Sequence, residues 1–408
     1  MKVLHIALTD GGGAGLGMMN QHLALLKAGV DSKVLVAYKK SSLDSVYEMK
    51  PNQSIWSSNK YIYLLEKIAR RLGICLTEYD KVHHLIYIIR KKHPVPYSSP
   101  ITQYDVSEHP LVKEADIINL HFIAGFVDVE SFFTKVKKPI VWTMRDENPG
   151  LGGFHYLQTK QAYNQYYKEI EEKLLMVKRR AIMQCHQLQI VSLSRTMLEF
   201  CHHVDFLACR PNTIICNAIS SEAYLPHGRR EARKILNLQE NEIVLSFVCC
   251  ELMEERKGLS LVLEALDILN DERIKLLCVG NSTEEIKHKN VILLGSISDS
   301  HQLSVVYSAS NAFVTASSQE SFGKTVVEAL YCGTPVVSMP VGIAAEIIDD
   351  SNGVLCPTRT SQEIAKGIRT VCSCSYNSTL IRATALSKFA PEGVAQKYIT
   401  LYSSILHS

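Results

Sequence analysis

Short apolar runs alternate with longer amphipathic stretches along almost the whole chain. A strand buried on both faces reads as an unbroken apolar run, and parallel strands need a covering helix between them. The alternation therefore selects parallel sheets clad in helices. In the first half the predicted strands are Val3–Leu8, Ser32–Ala37, Asp116–His121, Pro139–Met144 and Leu188–Leu193, with a long helix over about Gln158–Cys185. In the second half they are Ile243–Cys249, Ile274–Val279, Val291–Leu294, Ala312–Thr315, Pro335–Ser338 and Gly353–Leu355. Two complete sets predict an α/β fold of two Rossmann-like domains, one over residues 1–212 and one over 213–390, joined through the Ser/Pro-containing stretch Asn212–Pro226. A last helix is expected at about Pro391–Leu406, within a terminal segment 391–408.

Bulk properties narrow the function classes. A chain of 408 residues is long for one core, and 46% hydrophobic with 21% charged residues excludes a disordered chain. The formal charge of +3 gives no footprint for nucleic acid. No run approaches the roughly 18 apolar residues of a membrane span. The opening Met1–Leu8 reads as a strand rather than a leader, so a cytoplasmic location is expected, either soluble or peripheral at the inner face of the membrane. Of the 12 cysteines, Cys249, Cys250 and Cys278 sit in strand runs and no C-x-x-C pair occurs, which points to free thiols in a reducing compartment. One region breaks the pattern. Between Asn59 and Pro94, Lys60, Lys67, Arg70, Arg71, Lys81, Arg90, Lys91 and Lys92 interleave with Tyr61, Tyr63, Leu64, Leu65, Ile86, Tyr87, Ile88 and Ile89. Such a segment is either a solvated helix face or, over residues 60–92, a patch for anionic lipid or a lipid-linked acceptor.

The richest stretch runs from Asn311 to Val337. A buried strand ends in a small-residue loop, and a helix is expected to start near Ser321. Its first turn would offer free N–H groups and a positive dipole end to an anion. Gly323 would let a diphosphate approach the backbone. Glu320 stands at the loop mouth and Glu328 is placed two turns along the helix, so the two would reach different parts of one extended ligand. Gly333-Thr334-Pro335 then ends the helix and opens the next strand.

These residues resemble a known family. Glu320 and Glu328, with seven residues between them, followed by Ala329-Leu330, Gly333 and Pro335-Val336-Val337, resemble the E-x7-E signature of retaining family 4 glycosyltransferases. Arg256-Lys257-Gly258 resembles that family's phosphate-contacting turn, Asn217-Ala218-Ile219 its junction between lobes, Gly342–Glu346 its G-G-x-x-E helix start, and Gly353-Val354-Leu355 its G-x-L strand. The likeness covers nearly the whole second half and is specific as a set. In the first half, Gly11–Gly15 resembles the glycine loop facing the diphosphate, and Asn119-Leu120-His121 a strand end with a histidine near the reacting sugar. Val141–Asp146 and Gly152–Tyr156 resemble a bacterial polysaccharide-building subgroup.

The resemblance implies two facing lobes of the GT-B fold with a cleft between them, the last helix crossing back to the first lobe, and a nucleotide-sugar as donor substrate. It implies Glu320, Lys257, Arg256 and His121 as catalytic candidates. Glu328, Ser321, Phe322, Gly323, Lys324, Gly12 and Gly13 would contact the donor, and Arg145, Asp146 and His155 the acceptor. The acceptor indicated is a glycan or lipid-linked oligosaccharide of capsule or exopolysaccharide assembly. Two departures stand out. Arg145 replaces the subgroup's histidine, which favours anion binding over proton transfer there. The guanidinium usual near Cys250-Glu251 is missing, leaving Arg256 or Lys257 to neutralise the leaving diphosphate.

Rival classes are weaker. The glycine loop fails the dinucleotide frame, with Leu16 at the sixth position counted from Gly11 and Ala14 at the third counted from Gly12. The second strand ends at Tyr38-Lys39-Lys40, without the acid that would hold an NAD ribose. A nucleotide-sugar epimerase of the same architecture, or a catalytically silent sugar-nucleotide-binding subunit, stays open. No D-x-D triplet occurs, so no metal and no other cofactor is expected.

Overall fold

The computed structural model describes residues 1–51, 64–65, 67–69, 74–75, 77–185 and 187–407. They form two compact units, one of residues 1–193, 197–215 and 396–408, the other of 194–196 and 216–395.

In the first unit the strands are β1 (Lys2–Thr9), β2 (Asp31–Tyr38), β3 (Val46–Glu48), β4 (Ile117–Leu120), β5 (Ile140–Met144), β6 (Leu188–Ser192) and β7 (Asn212–Ile214). They pair in the order β3-β2-β1-β4-β5-β6-β7, every pair parallel. The five strands expected here are present. The three-residue β3 is too short to leave a periodic signal. Leu4, Ile6, Ile118, Ile140 and Trp142 fill one face of the sheet, and Ala7, Val34 and Val36 pack with Met18 on the other.

Helix α1 (Gly12–Lys27) leaves β1 almost at once. A Cβ at Gly15 would stand 2.6 Å from the Thr9 carbonyl oxygen, so glycine is what lets α1 lie this close to the strand end. Gly12 and Gly13, expected in a free loop, belong to the first turn of α1. Helix α2 (Glu78–Lys92) opens with a capping box: Thr77 Oγ1 accepts from the Asp80 N–H, and Asp80 Oδ2 accepts from the Thr77 N–H. It buries Val82 and Ile86 and exposes Leu85, Tyr87 and Ile88 next to Arg90, Lys91 and Lys92. Lys60, Tyr61, Tyr63, Arg70 and Arg71 of the basic segment lie outside the described residues. Helix α3 (Leu157–Gln184) is the long helix of this unit.

The second unit holds β8 (Ile243–Glu251), β9 (Ile274–Asn281), β10 (Val291–Gly295), β11 (Ala312–Thr315), β12 (Val336–Ser338) and β13 (Gly353–Leu355), all parallel, in the order β10-β9-β8-β11-β12-β13. Its core joins Leu245, Phe247, Leu276 and Val314 to Val262 and Leu266 of α4 (Leu259–Leu269). Helix α5 (Ser300–Ala309) precedes β11, and α6 (Lys324–Tyr331) follows it. Here the structure corrects the sequence reading. Gly323 has φ +87°, a left-handed conformation that cannot continue a right-handed helix, so α6 starts at Lys324 and not near Ser321. Glu328 therefore lies one turn into α6, at the i+4 position from Lys324, not two.

The last helix, α7 (Pro391–Leu406), belongs to the first unit from Gln396 onward, as the expected crossing back requires. Two buried tyrosines anchor it. Tyr402 Oη accepts from Asn119 Nδ2 (2.6 Å) and from Gln21 Nε2 of α1 (3.1 Å), while Tyr398 Oη lies 3.3 Å from Thr143 Oγ1. Tyr402→Phe would leave two buried amide donors without this acceptor. We predict a loss of about 1–3 kcal/mol in the urea-induced unfolding of the first unit. Parent-like stability would show that this bond does not hold the helix.

Candidate functional site

Each sheet reverses its order at one point. In the second unit the reversal lies between β8 and β11, and ligands of open α/β sheets bind beyond the strand carboxyl ends at such a point. Two segments meet there. One is the single-turn 3-10 helix Glu255–Lys257 that follows β8, and the other is the loop after β11. Two hydrogen bonds join them: the Ser318 N–H donates to the Arg256 carbonyl (2.9 Å), and the side-chain Nη1 of Arg256 donates to the Gln319 carbonyl (2.7 Å). Arg359 clamps both, giving Nε to the Ala316 carbonyl and Nη2 to the Glu255 carbonyl, each at 2.8 Å.

Locking the segments together places Glu320 against two cations. Its Oε1 takes Lys257 Nζ at 2.6 Å, the Ser317 hydroxyl at 2.9 Å and Arg256 Nη1 at 3.6 Å. Burial works against ionisation, but Lys257 and Arg256, with the hydrogen bonds from Lys257 and Ser317, hold the carboxyl below the ordinary glutamate range. Arg256 also binds Glu254 Oε1 through Nε and Nη2, both at 2.8 Å, so its guanidinium acts as a strut across the turn. Lys257 carries the simpler charge.

Glu328 is arranged differently. It is 3% exposed, and both its oxygens are engaged: Oε1 accepts from the Tyr224 hydroxyl (2.8 Å) and Lys324 Nζ (2.9 Å), and Oε2 from the Tyr307 hydroxyl (3.0 Å). Phe322 turns its ring into the core against Phe389 (5.8 Å, 80°), and its carbonyl accepts the Ile343 N–H. The Ser321 carbonyl accepts the Ser194 hydroxyl (2.9 Å), so the Phe322 ring and both carbonyls are engaged within the protein.

In the first unit the reversal lies between β1 and β4. Arg145, just past β5, donates Nε (3.2 Å) and Nη2 (3.1 Å) to His121 Nδ1 and Nη2 to Gln21 Oε1 (3.2 Å). A guanidinium only donates, so His121 Nδ1 is the acceptor and the His121 proton sits on Nε2, facing His5 Nδ1 at 2.9 Å. The His5 proton then falls on Nε2, which has no hydrogen-bond partner among the described residues. Thus His121, expected near a reacting sugar, is 2% exposed with both ring nitrogens engaged, and Arg145 is spoken for by the same chain.

Asp146 and His155 form a separate pair. His155 Nδ1 meets Asp146 Oδ2 at 2.5 Å, and its Nε2 meets the Ser98 hydroxyl at 2.9 Å. The loop carrying them is fixed from α3. Glu171 accepts the Gly152 and Gly153 N–H groups, and Lys178 Nζ donates to the Asn148 and Leu151 carbonyls and to Asn148 Oδ1. Burial pushes the Lys178 amine down to about 7.

Ser317, Arg359, Tyr224, Tyr307, Ser98, Glu171 and Lys178 were invisible in the sequence. Tyr224 lies 104 residues from Glu328 and no local pattern links them.

Burial, then neighbouring His22 and Arg145, hold His5 well below its ordinary pKa, and burial, then Arg145 and His5, do the same for His121. Unfolded, each takes a proton near pH 6.5; folded, each refuses it until well below. The unfolded chain binds more protons in that window, so stability present above about pH 6.5 is lost as pH falls. We predict that urea titrations of the first unit between about pH 7.5 and 5 show this fall. The double variant His5→Gln, His121→Gln should have a shallower slope, and an unchanged slope would contradict the neutral pair.

Comparison with known proteins gives a consistent picture. Residues 228–390 match the family described as glycosyl transferases group 1. Over 201 residues the chain is 22% identical to an uncharacterized 41.2 kDa protein in the cps region of Klebsiella pneumoniae, covering 47% of this chain and 54% of that one. Over 214 residues it is 24% identical to the O-antigen biosynthesis glycosyltransferase WclY of Escherichia coli, covering 49% and 58%. The chain thus spans about half the length of the curated relatives it matches. Among solved structures, Anabaena Alr3699/HepE in complex with UDP and glucose superposes with a TM-score of 0.67 at 18% identity, over 99% of this chain and 100% of the other. That likeness shows the fold, which is GT-B.

Proposed function

Residues 228–390 belong to the glycosyl transferases group 1 family, and from that premise we propose that the chain is a retaining, metal-independent glycosyltransferase. It would take a sugar from a nucleotide-diphosphate donor held by the second unit. The observation that carries this reading is Glu320: a carboxylate kept ionised by Lys257 and Arg256, beyond the ends of β8 and β11, next to the left-handed Gly323 that precedes α6.

In the proposed reaction the bond between the anomeric carbon and the diphosphate oxygen breaks, and its electron pair stays on that oxygen. The acceptor hydroxyl oxygen bonds to the anomeric carbon from the same face, and its proton passes to the departing diphosphate. Lys257 stabilises the charge that grows on the diphosphate, and Arg256 keeps Lys257 and the loop in place. Glu320 binds the sugar, and Glu328 binds the ribose hydroxyls. His121 and Arg145, joined to each other, shape the acceptor unit instead of moving protons.

For the acceptor we propose a lipid-linked oligosaccharide of capsule or exopolysaccharide assembly. The relatives named for a cps region and for O-antigen biosynthesis support this. So does α2, where exposed Leu85, Tyr87 and Ile88 lie beside Arg90, Lys91 and Lys92, a combination suited to an anionic lipid surface. No described helix is long and apolar enough to cross a membrane.

Two outcomes are expected. With UDP-, GDP- and ADP-sugars in EDTA, one donor class should release nucleoside diphosphate, and Lys257→Met should lower that rate about 10²–10³-fold. Lys257→Arg should restore part of it. Release by Lys257→Met at the parent rate would contradict the assignment. In vesicle sedimentation, phosphatidylglycerol vesicles should retain the protein and phosphatidylcholine vesicles should not, with Arg90→Glu, Lys91→Glu weakening retention. Equal retention by both lipids, or by the variant, would remove the lipid-surface reading.

A further inference from the structure

The cluster around Glu328 assigns work to residues outside the sequence motif. Tyr307 is fully buried, its ring packs edge-on against Phe313 (5.6 Å, 82°), and its carbonyl accepts the Thr334 hydroxyl (2.7 Å). Tyr224 is 5% exposed, and its carbonyl accepts Arg382 Nη1 (2.7 Å). Both phenols are thus fixed in the core of the second unit, each with its hydroxyl on a different Glu328 oxygen. The third partner differs in kind. The Lys324 side chain is 24% exposed, has a flexible stem and rises from the first residue of α6. Its ammonium also lies 5.9 Å from the centre of the Tyr224 ring. It stands next to Gly323, the glycine expected to let a diphosphate approach the backbone.

We propose that Tyr224 and Tyr307 are positioning residues that aim Glu328 at a vicinal diol, and that Lys324 is its exchangeable partner. This rests on the reading of residues 320–328 as a nucleotide-sugar site. With the site empty, Lys324 neutralises Glu328. When the ribose hydroxyls donate to Glu328 they replace the ammonium, which turns to the adjacent diphosphate. The exchange conserves charge pairing: one buried carboxylate trades an ammonium for two hydroxyl donors, and the ammonium gains a phosphate. Nothing covalent changes. A nucleoside without phosphates must displace Lys324 with no return, whereas a nucleoside diphosphate regains the ion pair.

The predictions for Lys324 therefore carry opposite signs for two ligands. Binding of UDP, GDP and ADP, and of the matching nucleosides, would be measured by competition titration in EDTA. Against the nucleoside diphosphate that binds, Lys324→Met should weaken affinity about tenfold or more. Against its nucleoside the same variant should bind as tightly as the parent or tighter. The tyrosines act on discrimination. The parent should reject the 2′-deoxy nucleoside diphosphate, and the double variant Tyr224→Phe, Tyr307→Phe should lose most of that preference while still binding the base and phosphates. Thermal midpoints report whether each variant is folded, and Tyr224→Phe alone provides a milder case.

Each result bears on a separate claim. Equal weakening of nucleoside and nucleoside diphosphate by Lys324→Met would overturn the exchange. Undiminished deoxy discrimination in the tyrosine variants would overturn the positioning. A parent protein that shows no preference for ribose over 2′-deoxyribose would instead overturn the reading of Glu328 as the ribose ligand, and one that binds no nucleotide would remove the site altogether.

Discussion

The reversal of strand order in each sheet is the constraint from which the candidate site follows. A parallel strand must be reached by a right-handed crossover, so a sheet that grows in both directions from one strand sends its connecting segments to opposite faces. The segments leaving the two strands at the reversal separate there and expose backbone and side chains that are otherwise covered. In the second unit this brings Glu255–Lys257 against the loop after β11. In the first it sets His5 of β1 beside His121 after β4, where Arg145 and Gln21 of α1 join them.

The two regions use charge in contrasting ways. Around Glu320, opposite charges lie close together beside the turn at Gly323, and Lys257 could leave the carboxylate for an anionic ligand. Around His121, burial has driven the imidazoles neutral and fixed their protons by hydrogen bonding. The first is built to exchange partners and the second to stay as it is. Lys178 and Glu171 extend the second kind of order to the loop of residues 146–155, so the pair Asp146–His155 is held on a rigid frame.

Legibility in the sequence tracked the range of the interaction. The strands were visible because a strand buried on both faces is largely apolar, as in Ile140–Met144, where Thr143 is the one polar residue, and the crossing of α7 back to the first unit was expected from the family resemblance. The helix start was misplaced by three residues because Ser321 and Gly323 both satisfy starting rules, and only the left-handed Gly323 decides between them. The E-x7-E spacing named Glu320 and Glu328 but not the tyrosines that hold Glu328, since those contacts span 104 and 21 residues. Lys178 gave no signal for the same reason: a lysine in a long charged helix reads as exposed, and only the fold shows it turned inward.

The most direct test of the central claim, that the second unit holds a nucleotide through Glu328, is a thermal-shift panel. It would compare the parent, Glu320→Ala and Glu328→Ala with UDP, GDP and ADP in EDTA. Ligand held only by the folded state raises the midpoint. The account predicts a rise with one nucleotide for the parent, a nearly complete loss of that rise in Glu328→Ala, and a smaller loss in Glu320→Ala, whose side chain is assigned to the sugar. A rise of equal size in all three proteins, or none in any, would contradict it.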